Sequence, residues 1–501
     1  MFSITLFNPD NTPLTPPPVT WTVERLSWRA VGGPWAARLR ADSPRLNTLW
    51  QIGEALGCGL TVSDARGPAW WGYFSALELH AGGQVLRRSL DEMANQVAVT
   101  YHERTPDERG GPRRQTGWVV DAPSIARFGE KQQLFDLGPS GADAAAASHY
   151  AATLLRQSAQ PQIVARVEEQ PAQAAPYLLV EARGWWERLD WRFYSEPRGL
   201  EGHQSSGSVT LGVGSGSASV MLAQSFRLGS PGGWTADEVW LRLRRNHAAD
   251  DLTLELRAGD ASAPGATVLS RAHLPIQSAP DELGWARFAL DPPLALQPGV
   301  DYWLVLSRSG ALDPDACVLV AADENAAYPR GSLRLLGPGG WSARVPDADA
   351  QFQVLGTEET SAQLAHLLSE APCIGGVRLE CASGISSRVY RDGSLRARAE
   401  AEALLRGGAA DGTRLLASIT PGRAARIYAQ PRPSESGLAL GPGGQILRLD
   451  GRALSPSESP AGQWARLGAL TPPGAPADEP YSYLFIERCA WDGRRLTLSM
   501  D

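Results

Sequence analysis

The chain has 501 residues, of which 43% are hydrophobic and 20% are charged, and its formal net charge is −7 at pH 7. These values are ordinary for a folded protein of about three domains, and the negative charge argues against a nucleic-acid-binding protein. The sequence has no apolar run of membrane-spanning length, and its first residues lack the basic and apolar regions of a secretory signal. We therefore expect no membrane span, no secretion signal and no nucleic-acid specificity.

The first part of the chain predicts mainly strands. Residues 1–20 are polar and proline-rich, which is typical of an extended arm. Alternating apolar positions over 21–101 predict a series of strands, interrupted by one short helix in LNTLWQIGEAL. The alanine-rich segment 141–157 predicts a helix, and tryptophan-rich strands are expected to follow it as far as Tyr194.

A change of composition marks the middle of the chain. Residues 199–220 are rich in glycine and serine, which is typical of a linker. Residues 221–355 contain apolar alternating segments at regular spacing, separated by Gly/Pro turns, and this pattern indicates a β-sandwich or jelly roll. We expect residues 203–356 to fold independently, as an insertion in a sequence that was continuous without them.

The last part of the chain mixes helices and strands. Leucines at helical spacing in 357–369 predict a helix, and a second helix is predicted over 394–407, capped by Ser394 and ended by glycines. Residues 413–501 predict strands, with a hairpin at Asp492-Gly493. The predicted fold class is mainly β, with two β-barrel domains that carry short helices and an inserted sandwich, in the following order: arm (1–20), first barrel (21–115), helix-bearing β region (116–202), sandwich (203–356), helix-bearing β region (357–412) and second barrel (413–501).

No motif for catalysis is found. The chain lacks the GxSxG, HExxH, GxxxxGK[ST] and GxGxxG-helix patterns. Its seven histidines show no ligand spacing, and its five cysteines include no CxxC pair, so neither a zinc site nor a redox pair is indicated. Five aspartates offer the oxygen ligands that calcium prefers, although a solvated loop is the favoured interpretation: Asp313, Asp315, Asp323, Asp347 and Asp349. We expect no catalytic residue, no cofactor and no metal.

The 17 tryptophans are the most unusual feature of the composition. Burial in cores and subunit interfaces is the favoured interpretation, and sugar binding by some of them is the alternative. Trp71 and Trp191 are expected to be largely buried. Trp234, Tyr328 and Trp341 lie beside Gly/Pro loops of the sandwich, and we expect them to be exposed and available for contact with a glycan or a partner protein.

The order of several segments resembles the hub proteins that close the tail tip of phages and of related contractile injection systems. The similar segments are VGGPWAARLR (31–40), WWGYFSALEL (70–79), SLDEMANQVAVTY (89–101), TGWVVDAPSIARFGEKQ (116–132), RGWWERLDWRFY (183–194), VYRDGSLRARAEAEALLRGG (389–408), GQWARLG (462–468) and FIERCAWD (485–492). The resemblance covers 21–195 and 357–501 in order, and its specificity comes from order and coverage together. The sandwich resembles adhesion or carbohydrate-binding-like modules through LQPGVDYWLVLS and its neighbouring strands.

The resemblance implies a structural, non-enzymatic role. It implies a homotrimer in which two similar barrels per chain form a ring against the hexameric tail tube. The implied partners are the tail tube or distal tail protein, the tape measure protein, a tail fibre or spike, and a host cell-surface glycan for the sandwich. The implied location is the virion tail, assembled in the bacterial cytoplasm. Two alternatives stay open: a glycan-binding adhesin, and a cell-wall glycan hydrolase, which would need a pair of carboxylates in a cleft.

Overall fold

The computed structural model describes residues 2–15, 17–103, 111–138, 142–168, 175–205, 209–324, 328–343, 348–430, 437–441, 444–450, 452–466 and 483–498. Strands dominate it, so the predicted mainly β fold is confirmed. The chain forms two compact units. Unit 1 takes Met1–Tyr194, Thr360–Ile385 and Leu395–Asp501, and unit 2 takes Ser195–Glu359 and Ser386–Ser394.

The strands and helices are numbered in chain order. Those before unit 2 are β1 (Ser3–Phe7), β2 (Pro13–Leu14), β3 (Thr20–Arg29), β4 (Gly33–Asp42), α1 (Leu46–Gly53), β5 (Gly59–Asp64), β6 (Gly67–Ala81), β7 (Gln84–Ser89), β8 (Gln96–His102), β9 (Arg113–Gln115), β10 (Val119–Val120), α2 (Ala122–Phe128), β11 (Gln132–Asp136), α3 (Ala144–Ser158), β12 (Ile163–Val167), β13 (Tyr177–Arg183) and β14 (Phe193–Glu196). Those up to Glu359 are β15 (Leu200–His203), β16 (Val209–Val213), β17 (Met221–Phe226), β18 (Trp234–Asn246), β19 (Leu252–Gly259), β20 (Pro264–Leu274), β21 (Gly284–Leu296), β22 (Tyr302–Arg308), β23 (Cys317–Asp323), β24 (Leu333–Gly337), β25 (Gly340–Ala343), β26 (Asp349–Ala350) and β27 (Phe352–Glu359). The remaining elements are α4 (Thr360–Ser369), β28 (Gly376–Leu379), β29 (Ser386–Arg388), β30 (Arg391–Arg396), α5 (Ala397–Arg406), β31 (Arg414–Ile419), β32 (Ala424–Gln430), β33 (Leu438–Leu440), β34 (Ile446–Arg448), β35 (Trp464–Arg466), β36 (Tyr483–Phe485), β37 (Arg488–Trp491) and β38 (Leu496–Leu498).

The main sheet of unit 1 has 11 strands and joins both ends of the chain. Its central path runs β2-β1-β5-β6-β13-β4-β3-β37-β38, so a C-terminal hairpin extends the sheet of the N-terminal strands. The 15-residue β6 pairs with β13 along one edge and, along the other, with β5 in its first half and β7 in its second half. The apolar faces of these strands bury one core, which includes Leu39, Trp70, Phe74 and Val180.

The expected pair of closed barrels is wrong, because no sheet of the described residues closes into a barrel. The free edge of β1 is taken by β2, and that of β37 is taken by β38, so the two cannot pair with each other. The sheet curls nonetheless: the ring of Phe2 meets that of Trp491 edge-on, with ring centroids 4.9 Å apart. Side chains close this seam where a barrel would have a strand pair.

A second sheet in unit 1, β28-β32-β31, links to the first through the turn between β3 and β4. The N–H of Gly32 donates to the carbonyl of Ala417 at 2.7 Å, and its φ of +93° is a conformation that favours glycine. A Cβ at this position would lie 2.6 Å from the side chain of Trp186, so only glycine fits. Helices α4 and α5 contribute apolar side chains to the same core, including Leu364, Leu368 and Leu404.

A smaller layer of unit 1 contains the sheet β10-β8-β11, with β9 beside β8 and α3 packed on it. Asp143 caps α3 by accepting a hydrogen bond from the N–H of Ala146 at 2.7 Å. Ala147, Ala151 and Leu155 are buried, which explains why an alanine-rich helix suits this site. The predicted helix over 141–157 is therefore confirmed, within a few residues at its start.

Unit 2 is a sandwich of two antiparallel sheets. One contains β27, β18 and β21 with the shorter β15, β16, β23 and β26, and the other runs β20-β19-β22-β17-β24-β25. Side chains from both sheets share one core, in which Phe226 and Phe352 approach to 6.0 Å between ring centroids. The predicted sandwich 203–356 lies within this unit. The unit begins earlier, because Leu200 in β15 pairs with Leu355, and it includes β29, which also pairs with β27.

Candidate functional site

Tyr328, expected to be exposed, is buried in a polar network of unit 2. Its hydroxyl donates to Oε1 of the buried Glu201 at 2.7 Å, and Arg330 donates to the same oxygen at 2.7 Å. Its ring packs edge-on against Phe352 at 5.3 Å. Burial, reinforced by the negative charge of Glu201, raises the pKa of Tyr328. The expected exposure is wrong because this tyrosine fixes a loop to the sandwich.

The other two aromatic candidates are separated from Tyr328 and from each other. Trp234 is buried at the start of β18, where it pairs with Leu296, so its expected exposure is also wrong. Trp341 is half-buried on β25, the terminal strand of the opposite sheet, and packs against the cluster around Trp303. Among the described residues no ring contact joins the three side chains. They do not form one binding surface.

The expected solvated loop is found for Asp313 and Asp315, which lie outside the strands with Asp315 exposed, but not for the other two described aspartates of the acidic group. Asp323 and Asp349 are buried partners on the adjacent strands β23 and β26. The carboxylate of Asp349 accepts hydrogen bonds from the Gln224 side chain and from the N–H of Tyr328, each at 2.8 Å. Asp347 lies outside the described residues. Within the described part of the chain, no group of three or more His, Cys, Asp or Glu side chains is arranged to hold a metal.

The most distinctive surface of unit 1 is the outer edge of its main sheet at β12. This strand pairs antiparallel with β7 and, in the part of the chain that the structure describes, with no other strand. All five of its residues are exposed, and three of them are β-branched apolar residues: Ile163 is 61% exposed, Val164 57% and Val167 86%. An edge strand of this kind presents unpaired backbone groups and apolar side chains together, which makes it a template for pairing with another chain.

Helix α1 extends the same apolar surface. Trp50, Leu86 and Ile163 line one shallow depression, and Trp50 remains partly exposed. Leu46 lies one helical turn before Trp50 and is exposed as well. We refer to Leu46, Trp50, Ile163, Val164 and Val167 as the β12 surface.

Charged residues protect only one side of β12. Arg166 pairs with Glu168 at 2.9 Å and approaches Glu78 at 3.7 Å. Burial alone raises the pKa of Glu78, but the hydrogen bond from Arg87 and the charge of Arg166 bring it below its ordinary value. Edge strands are usually guarded by several charges or a proline, and β12 carries a single arginine. The β12 surface is therefore an exposed apolar edge with little charge on it.

Comparisons with known proteins leave the family open. No family model matches the chain, and no curated protein matches it. One weak structural match is to the cysteine protease and lectin-like domains of Cwp84 from Clostridium difficile, with 7% identity, a TM-score of 0.21, and coverage of 69% of this chain and 64% of that one. Another is to the insecticidal δ-endotoxin Cry8Ea1 from Bacillus thuringiensis, with 8% identity, a TM-score of 0.18, and coverage of 68% of this chain and 54% of that one. A third is to a family 43 arabinoxylan arabinofuranohydrolase from Bacillus subtilis, with 10% identity, a TM-score of 0.16, and coverage of 57% of this chain and 63% of that one. The chain thus spans between about half and two thirds of these proteins.

No helix in the described residues combines the length and the apolar character that are needed to cross a membrane.

Proposed function

We propose that the chain is a structural hub subunit of a phage-type tail, and that it assembles as a homotrimer. One observation supports this proposal: the two stretches that resemble hub proteins belong to one compact unit, except for a few residues at their borders with the sandwich and Ser386–Ser394, which belong to the unit of the sandwich. Strand β37 pairs with β3 across more than 450 positions of sequence, with Trp28 opposite Cys489. A hub interrupted by an insertion would have its flanking stretches in one unit in this way, although one shared sheet of the described residues takes the place of the two barrels that the resemblance implies.

The β12 surface supports self-association. A strand edge that paired with the same edge of a second copy would make a two-fold dimer, whereas a ring needs each edge to meet a different surface on the next copy. We therefore propose that β12 pairs with another part of unit 1 in the neighbouring subunit. The tail tube or distal tail protein, the tape measure protein, and a fibre or spike remain the proposed partners of the assembled ring.

Multi-angle light scattering by the purified full chain at micromolar concentration tests this function. We expect particles of three times the 53.7 kDa chain mass. The double variant Val164→Lys/Val167→Lys places charges on the exposed edge and should dissociate these particles to monomers without unfolding them. Val120→Lys, at an exposed valine outside the β12 surface, is the matched control and should stay trimeric. A wild-type chain that is monomeric at micromolar concentration contradicts the proposal, as does a trimer that the double variant leaves intact.

The sandwich is proposed to contact the host surface or another tail protein. Of the three aromatic candidates only Trp341 keeps accessible area in the isolated unit, so it is the residue to test. We expect Trp341→Ala to weaken adsorption of the purified protein to host cells while leaving its oligomeric state unchanged. Unaltered adsorption removes Trp341 from the contact.

A further inference from the structure

Unit 1 contains a second surface, which is charged where the β12 surface is apolar. Two adjoining cavities of about 580 and 360 Å³ share Arg29 and Arg488 in their walls. The larger lies between the C-terminal end of α5, the start of β31 and Phe485. The smaller follows β3, β4 and the end of β13. We refer to the two together as the arginine groove.

Positive charge predominates in the arginine groove. Its walls contain seven arginines and three glutamates, an excess of four positive charges in a chain whose net charge is −7. Some of the charges are neutralised locally: Arg414 pairs with Glu487 at 3.0 Å, and Arg38 pairs with Glu24 at 3.0 Å. Arg406, exposed at the end of α5, has no ion pair among the described residues. The groove therefore attracts a ligand with several negative charges.

Arg29 lies at the junction of the two cavities and has unsatisfied hydrogen-bonding capacity. Its guanidinium lies 3.0 Å from the ring centroid of Trp35, and its Nε is buried with no hydrogen-bond partner among the described residues. Burial, followed by the charge of Arg488, lowers its pKa to about 10, so it remains charged at neutral pH. Arg29 is only partly buried, and the charges of Glu187 and Glu402 offset part of the repulsion by Arg488. The group that a carboxylate ligand would satisfy is its unpartnered Nε.

The larger cavity also borders strand β31. On the side away from β32, the N–H of Gly32 bonds to the carbonyl of Ala417, and its carbonyl accepts from the N–H of Ile419. Leu415 lines the cavity but is only 2% exposed, so this side of β31 is not open to an added strand. A ligand in the cavity therefore contacts side chains, and the exposed Arg406 at the end of α5 is among those within reach.

We propose that the arginine groove binds an extended acidic peptide segment of a partner protein. The carboxylates of the peptide meet Arg29 and Arg406. Carboxylates suit guanidinium groups geometrically, because both oxygens can accept parallel N–H hydrogen bonds. The apolar walls, formed in part by Leu405 and Phe485, contact apolar side chains of the same peptide. A nucleic acid fits less well, because Glu402 and Glu487 also line the groove. This inference does not depend on the oligomeric state of the chain.

Fluorescence anisotropy with the full chain tests the proposal. The probe is a fluorescein-labelled peptide of alternating glutamate and valine, about eight residues long, which is enough to span a strand. We expect binding that weakens steeply as salt increases. Replacing glutamate by glutamine removes the charge of the peptide and should weaken binding by at least about tenfold.

Variants of the chain locate the site. We expect Arg29→Gln and Arg406→Gln each to weaken binding by about tenfold, and the exposed Arg406 gives a variant that leaves the core intact. Arg156→Gln, on the exposed face of α3, is the matched control and should bind as the wild type does. Three results overturn the proposal: equal binding of the glutamine peptide, equal losses in Arg406→Gln and Arg156→Gln, or displacement of the peptide by a single-stranded DNA oligonucleotide at lower concentration than by unlabelled peptide.

Discussion

Trp191→Ala removes a ring from the centre of the unit 1 core. The indole is 8% exposed and meets Tyr73 edge-on at 5.5 Å between centroids. The guanidinium of Arg188 lies 4.7 Å from the same ring, so the tryptophan also stabilises a charge within the core. A structural role for Trp191 is expected from its sequence context, and its burial agrees with that role.

The size of the effect follows from these contacts. Truncating an enclosed tryptophan to alanine costs about 3–5 kcal/mol, and we expect about 4 kcal/mol because the aromatic and cationic contacts are lost with the buried area. Trp71 is only half-buried, but its indole N–H donates to the carbonyl of Ile419 at 2.7 Å and ties β6 to β31. For Trp71→Ala we expect about 2–3 kcal/mol from the smaller area and the lost hydrogen bond.

Hydrogen exchange measured by mass spectrometry reports each unit separately. A loss of 4 kcal/mol in the Trp191→Ala variant corresponds to exchange about three orders of magnitude faster in β4, β6 and β13, while the peptides of unit 2 keep the wild-type rates. Trp50→Ala, at a partly exposed tryptophan, is the control and should cost below about 1 kcal/mol. If unit 1 of Trp191→Ala exchanges within about threefold of the wild type, the assignment of this ring to the core is wrong.

Three further predictions concern other parts of the chain. Lys131 is the only lysine, and burial lowers its pKa to about 8, so acylation of its amine should show a midpoint near pH 8, where an unperturbed lysine has one near 10.4. Between about pH 8 and 10.4 the folded state then binds fewer protons than the unfolded state, so the free energy of unfolding should rise with pH relative to that of Lys131→Met. If the two proteins give parallel plots of unfolding free energy against pH, this prediction is wrong. Replacing 200–355 by a Gly/Ser bridge should leave a soluble chain with the wild-type oligomeric state. The reason is that the N–H of Gly356 donates to the carbonyl of Gly199, so the ends of the removed segment lie side by side. Aggregation of the shortened chain would count against this prediction. Tyr328→Phe should destabilise unit 2 by about 1.5–3 kcal/mol, because buried Glu201 loses a donor, and an unchanged urea midpoint of unit 2 would contradict that role.

Local patterns in the sequence predicted local structure well. The Asp492-Gly493 turn connects β37 and β38 as an antiparallel hairpin, as predicted. The helix expected over 394–407 forms as α5, but it begins at Ala397 with Arg396 as its N-cap, because Ser394 belongs to β30. Residues Trp185–Trp191, expected to be part of a strand pair, form a 3-10 helix. Four of its apolar residues are buried together, and alternation alone does not distinguish this arrangement from a strand.

Features that depend on distant contacts escaped prediction. The segment IVARV of β12 has the composition of a buried strand, yet all of its residues are exposed because nothing in the described chain covers its outer edge. The walls of the arginine groove come from segments near Arg29, Arg183, Arg414 and Arg488, which only the sheet order brings together. Tyr328 was expected to be exposed because it follows a loop, but its buried partner Glu201 lies 127 residues away. Burial is a property of the folded chain, and spacing in the sequence does not report it.

Electron microscopy of the negatively stained full chain tests the central proposal most directly. If the chain is a hub subunit, class averages of the purified protein should show a closed ring with three-fold symmetry. A ring of this kind requires heterologous contacts between neighbouring subunits. Single particles of the size of one chain, or two-fold dimers joined edge to edge, would contradict the account.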